Sequence, residues 1–160
     1  MTPSPDGAPT QDSLLGRSTS LAVSLSAEEV ASFGRLTRDD HPIHVDEAFA
    51  RRVGLPGCIL QGSFMIGLMA GASTRFFTEQ NRPALSYGYD RVRFTGQAPV
   101  DARVRVDYSI VEEDAATGKL WADVAVKTED GRLLAVARHV AKLIGYGARR
   151  RRRSGPAKGR

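Results

Sequence analysis

The chain is predicted to fold as an α+β domain in which a curled antiparallel sheet wraps a central helix. Three features carry that prediction. The helical patterns come first, a sixteen-residue segment that is apolar on nearly every face follows, and the remainder alternates with period two between turn residues. The length of 160 residues, with 41% hydrophobic and 26% charged, fits one core.

No window approaches the ~18 uninterrupted apolar residues a membrane span needs, and residues 1–14 lack a basic flank followed by an apolar stretch. Secretion and membrane insertion are not expected, and the cytoplasm is the expected compartment. The single cysteine, Cys58, cannot form an internal disulfide and is far from a structural zinc set. Stability is therefore expected from packing, a dimer interface included.

The net charge of +5 divides unevenly, because Arg149 to Arg153, Lys158 and Arg160 supply seven of the 23 basic residues. Residues 1–148 carry 16 basic against 18 acidic residues, a net of −2. The basic character belongs to the tail, so nucleic-acid binding rests on that tail alone and is not the favoured reading.

Residues 1–18 are rich in Pro, Gly, Ser and Thr and read as a flexible arm. The domain is expected to span 19–147, with 148–160 as a basic disordered tail. Ser20 to Leu25 alternates and predicts a short strand. Ser26 and Glu29 form an S-x-x-E capping box that opens a helix to about Arg35, with Val30 and Phe33 facing the core.

Thr37 to Val45 (TRDDHPIHV) is polar and holds Pro42, which predicts a loop. Asp46 then serves as N-cap of a short helix through Arg52 that stops at Gly54. Gly62 to Phe77 (GSFMIGLMAGASTRFF) is too short for a bilayer and too apolar for a surface, so it predicts a buried central helix whose small residues admit a sheet closely. Strands follow at Tyr87–Phe94, Ala102–Val111, Leu120–Val126 and Leu133–Leu143, with hairpin turns at Asp114–Gly118 and Asp130–Gly131.

The chemistry concentrates in Asp39-Asp40-His41-Pro42-Ile43-His44. A carboxylate and an imidazole five positions apart across a rigid X-Pro turn can point into one cleft and shuttle protons through a shared water. His41, His44 and Asp46 also imitate a metal cluster, but no further His or Cys pair completes it, and no metal is expected. His139 falls in a strand and reads as structural or surface. Arg91 and Arg93 are expected on one face of a strand, in register with Tyr87 and Tyr89, where their guanidinium groups suit phosphate oxygens.

These blocks resemble the MaoC-like hydratases and dehydratases of the hot-dog fold, including (R)-specific enoyl-CoA hydratases. The family's loop reads Gly-Asp-x-Asn-Pro-(Ile/Leu)-His-x-(Asp/Glu), matched here by Arg38 to Asp46. A second block, Cys58 to Phe64 (CILQGSF), is similar to the Ile-(Ala/Val)-His-Gly-Met segment that opens the family's central helix. A third spans Tyr87 to Phe94 and Gln97 to Val100, and the resemblance covers roughly Ser24 to Tyr146.

The resemblance implies a hydro-lyase that adds or removes water across the C2–C3 bond of an acyl thioester. Asp39 and His44 would activate the water, and the Gly62 N–H would stabilise the thioester enolate, with His41, Gln61, Arg91 and Arg93 as substrate-binding candidates. It implies no cofactor beyond the CoA or phosphopantetheine of the substrate itself, and a homodimer or dimer of dimers joined through sheet edges. Four positions depart from the family pattern: Arg38 for Gly, His41 for Asn, Gln61 for His, and Gly67 where some hydratases place a supporting serine.

Those departures keep alive a non-catalytic subunit or acyl-thioester binding protein as the alternative. A thioesterase is disfavoured, since Gly62 to Thr78 carries no acid and the chain has no G-x-S-x-G elbow.

Overall fold

The computed structural model describes residues 13–145. In chain order these form β1 (Ser18–Ser24), α1 (Ala27–Thr37), a single 3₁₀ turn (Pro42–His44), α2 (Glu47–Arg52), α3 (Gly62–Glu79), β2 (Ala84–Phe94), β3 (Arg103–Asp114), β4 (Lys119–Thr128) and β5 (Leu133–Leu143). The five strands make one antiparallel sheet in the order β1-β3-β4-β5-β2, and α3 packs against its inner face. Only β3, β4 and β5 are a true meander; β1 and β2 close the two flanks, so the helices between them must cross the sheet.

Alternation decides which face is inside. Val104, Val106, Tyr108 and Ile110 of β3 and Leu120, Ala122, Val124 and Val126 of β4 are buried, and α3 meets them with Met65, Leu68, Met69, Ala72, Phe76 and Phe77. The expectation of a helix buried all round needs correction. Ser63, Gly67, Ala70 and Thr74 recur at helical spacing on an exposed face of α3, so the helix is buried on one side and built of small residues on the other.

The capping box predicted for α1 is formed. The Ser26 hydroxyl accepts the Glu29 N–H at 3.3 Å, and the Glu29 carboxylate accepts the Ser26 N–H at 2.8 Å. Glu29 is held below the usual carboxylate range mainly by that backbone hydrogen bond.

The boundary of the N-terminal arm also shifts. Leu14 is buried, Ser13 donates to Glu113 at 2.8 Å, and β1 begins at Ser18, so residues 13–17 are docked on β3. Residues 1–12 and the basic tail, Arg149 to Arg153 included, lie outside the described residues. Among those described, no helix is long and apolar enough to cross a membrane.

β2 departs most from its sequence reading. Its pairing with β5 shifts register between Ser86 and Gly88 and again between Asp90 and Arg93, and Arg91 adopts φ +53°. Two bulges therefore break the period-two alternation on which a shared face for Tyr87, Tyr89, Arg91 and Arg93 depended. Tyr89 pairs with His139 and turns inward, Tyr87 is exposed, and Arg93 pairs with Val136 on the outer face.

Candidate active site

The site is assembled at the N-terminal end of α3. Pro42 starts the 3₁₀ turn, which His41 caps with its own Nδ1 accepting the Ile43 N–H at 3.3 Å. That turn carries His44 inward until only 8% of its side chain is exposed. Its Nδ1 lies 2.7 Å from the carbonyl oxygen of Ile59. A carbonyl only accepts, so Nδ1 carries the proton and donates, leaving Nε2 with its lone pair in the neutral ring.

Nε2 faces the carboxylate of Asp39, with Oδ1 at 3.9 Å and the Asp39 side chain 44% exposed. This separation exceeds a direct hydrogen bond, and one oxygen of a water or substrate hydroxyl can bond both groups at ordinary length. Ser63, on the first turn of α3, donates to the other carboxylate oxygen at 3.3 Å. Ser63 was not among the residues expected to matter. Its only sequence signal is its place directly after Gly62, where a first-turn side chain can reach a facing loop.

Gln61 does not line the cleft. It is 0% exposed and sits beneath the loop, where Nε2 donates to the carbonyls of Val30 and Asp39, each at 3.2 Å. The side chain thus ties α1, the Asp39 backbone and the start of α3 together. Gly34 makes this possible, since a Cβ there would lie 3.0 Å from the Asp39 carbonyl oxygen and 3.2 Å from the Gln61 amide nitrogen.

Gly62 is the first residue of α3, and its N–H belongs to the first turn, which has no acceptor within the helix. No side chain caps this end, and although the Phe64 N–H bonds the Gln61 carbonyl at 3.1 Å, the Gly62 N–H and the partial positive charge remain available to an anion. The ring of Phe94 covers Gly62 so closely that a Cβ would meet it at 2.7 Å. The segment 58–60 is pinned on both sides, by Ile59 N–H to Ile43 and by Leu60 N–H to Ala98 at 2.8 Å.

Asp39, His44 and Gly62 are therefore brought to one place. His41 stays at the rim, exposed and edge-on to Phe49 at 5.6 Å. Arg91 and Arg93 are not brought there: Arg93 pairs with Val136 and Arg91 borders a hollow with Asp107, Asp123 and Arg138, on the face of β2 opposite Phe94. Gly67 bears no side chain, so the imidazole is oriented by the Ile59 carbonyl rather than by a helix serine.

A curled five-stranded sheet around a central helix, with an aspartate and histidine loop at the helix start, defines a hot-dog protein of the MaoC-like class. The chain belongs to that family: the MaoC-like domain model matches residues 13–130. It is 32% identical over 109 residues to the 3-hydroxyacyl-thioester dehydratase Z of Mycobacterium tuberculosis, spanning 67% of this chain and 72% of that relative. The fold matches an (R)-hydratase from A. caviae involved in PHA biosynthesis, with a TM-score of 0.76 at 22% identity over 84% of this chain and 99% of that one. It also matches a C-terminally truncated (3R)-hydroxyacyl-ACP dehydratase complex from Mycobacterium tuberculosis, with a TM-score of 0.69 at 16% identity over 81% of this chain and 97% of that one.

Proposed function

We propose that the protein is a hydro-lyase acting on the C2–C3 bond of an acyl thioester, with Asp39 and His44 handling the water and Gly62 the thioester oxygen. The observation that carries this reading is the fixed tautomer of His44, whose basic Nε2 faces Asp39 across 3.9 Å. A water held between them loses a proton to the pair as its oxygen bonds to C3. The C2–C3 electron pair moves toward the thioester oxygen, and the proton held by the pair is returned to C2. In the reverse direction the same groups take the C2 proton and protonate the departing hydroxyl.

As the enolate forms, negative charge develops on the thioester oxygen, where the Gly62 N–H and the uncapped start of α3 would stabilise it. General acid–base help of this kind contributes about 10²- to 10⁴-fold, and a fixed backbone donor about as much again. The chain's own residues suffice for this chemistry, with CoA or phosphopantetheine entering only as the substrate's handle.

The glutamine in place of the family histidine supports the loop from below, so that departure leaves the Asp39 and His44 pair intact. This weighs against the non-catalytic alternative. We further propose a homodimer through β2, an edge strand with exposed Leu85, Tyr87 and Phe94 that an uncovered protein would have to guard. Sedimentation at micromolar concentration tests it, and a monomer would contradict it. Hydration of 2-enoyl-CoA, followed as loss of enoyl absorbance, tests the activity.

A further inference from the structure

Resting on the reading above, we propose that a cavity between the C-terminal half of α3 and β2 receives the far end of the acyl group. There it selects an end carrying an uncharged hydrogen-bonding oxygen, a hydroxyl or ketone, over a bare hydrocarbon.

The cavity measures about 540 Å³, within the usual range for a small-molecule site. Its wall is unusual for a hydrocarbon tail because it ends a buried polar chain. Ser86, on the cavity wall, lies 2.8 Å from Nε2 of His139, and Nδ1 of that ring lies 2.8 Å from the Tyr108 hydroxyl; Ser73 lines the same cavity. His139 itself is 0% exposed.

In both possible proton orders of this chain Ser86 can bond a ligand hydroxyl. If Nε2 holds the ring proton it donates to Ser86 and Tyr108 donates to Nδ1, so the Ser86 hydroxyl proton is free. If Nδ1 holds it, both bonds reverse and Ser86 keeps a lone pair that accepts from the ligand. The Ser73 hydroxyl is a second polar group on the same cavity.

Tyr89 adds a third group. Its ring stacks on His139 at 4.5 Å, it lines the cavity, and its hydroxyl is buried with no hydrogen-bond partner among the described residues. A buried hydroxyl without a partner is costly, and a ligand oxygen would relieve that cost. Burial also keeps His139 neutral, with its pKa down to about 4, so the relay offers hydrogen bonds without a positive charge. Arg82 also borders the cavity, so a carboxylate belongs among the ligands to be tested.

The reach is suitable. Ser63, which touches Asp39, and Thr74, which lines the cavity, lie on one exposed stripe of α3, eleven residues or about 16 Å apart along the axis. Between them stand only Gly67 and Ala70, and a Cβ at Gly67 would meet nothing within 4 Å. An extended acyl chain can lie along that open track from the thioester site to the relay.

Calorimetric binding of decanoyl-CoA, ω-hydroxydecanoyl-CoA and the ω-carboxy analogue, and of the matching dodecanoyl set, to wild type, Tyr89→Phe and Ser86→Ala tests the proposal. Wild type is expected to bind the ω-hydroxy thioester about tenfold or more tightly than the plain one at one or both lengths. Tyr89→Phe removes an unbonded hydroxyl and keeps the ring stack, so it should fold, lose most of that margin and bind plain chains as well as wild type or better. Equal affinities, a preference for the carboxylate, no binding, or a margin that survives both variants would overturn the proposal.

These saturated ligands do not react, so the result stands apart from catalysis. Selective binding by a protein inert toward enoyl thioesters overturns only the hydro-lyase reading. Turnover without selectivity overturns only this one.

Discussion

The Nδ1 of His44 and the carbonyl oxygen of Ile59 are 2.7 Å apart, and this single contact decides which side of the imidazole is basic. The donor is used up on the backbone, so the free nitrogen is the one that faces Asp39. Ile59 can serve this way because its own N–H is engaged by Ile43 at 3.2 Å and its neighbours by the 98–100 loop. The catalytic geometry is thus set by main chain, which side-chain variation leaves in place.

Gln61→Ala is expected to cost about 2 kcal/mol or more of stability, because it leaves a cavity beneath the loop and deprives the Val30 and Asp39 carbonyls of a buried donor. Activity should fall with it, chiefly in kcat, as the Asp39 backbone loosens. Denaturant unfolding and steady-state kinetics check both. A variant as stable and active as wild type would remove Gln61 from its supporting role.

Gly34→Ala places a methyl 3.0 Å from the Asp39 carbonyl, which is backbone and can yield only if the loop moves. Overpacking of this kind costs about 1–3 kcal/mol. Since the displaced atom belongs to Asp39, the loss in kcat should exceed that of an equally destabilising substitution remote from the loop, such as Ser26→Ala at the α1 cap. Equal kcat in the two variants would contradict this.

His139 makes stability fall with acid. Its pKa is held at about 4 in the folded protein by burial, against an ordinary 6.5, so between these values the unfolded chain takes up a proton that the folded chain refuses. Its contribution is intact above pH 6.5 and is lost as the pH falls toward 4, with a slope approaching about 1.4 kcal/mol per pH unit. Unfolding measured across that window should show this slope in wild type and a shallower one in His139→Gln. Identical slopes would assign the acid sensitivity to other groups.

Much of this was legible in the sequence. The capping box at Ser26 and Glu29, the start of α3 at Gly62 and the inward rows of β3 and β4 follow from local rules that tertiary packing did not override. The bulge at Arg91 was not legible, because a register shift depends on the partner strand and no Gly or Pro marks that residue, where φ turns positive; the first bulge did leave a mark in Gly88, a glycine inside the strand at φ +135°. The role of Gln61 was hidden for the same reason: a polar residue at a helix start reads as outward until α1 is known to lie over it. His139 reads as one more strand residue, and only its pairing with Tyr89 and Tyr108 reveals a buried polar chain.

The most direct test of the central claim is the rate of hydration of a short and a medium 2-enoyl-CoA by wild type, Asp39→Asn and His44→Ala, each verified as folded by circular dichroism. Turnover by wild type, with a loss of about 10²-fold or more in both variants and little change in stability, is the predicted result. Turnover that persists in either folded variant would contradict the assignment of the water to the Asp39 and His44 pair.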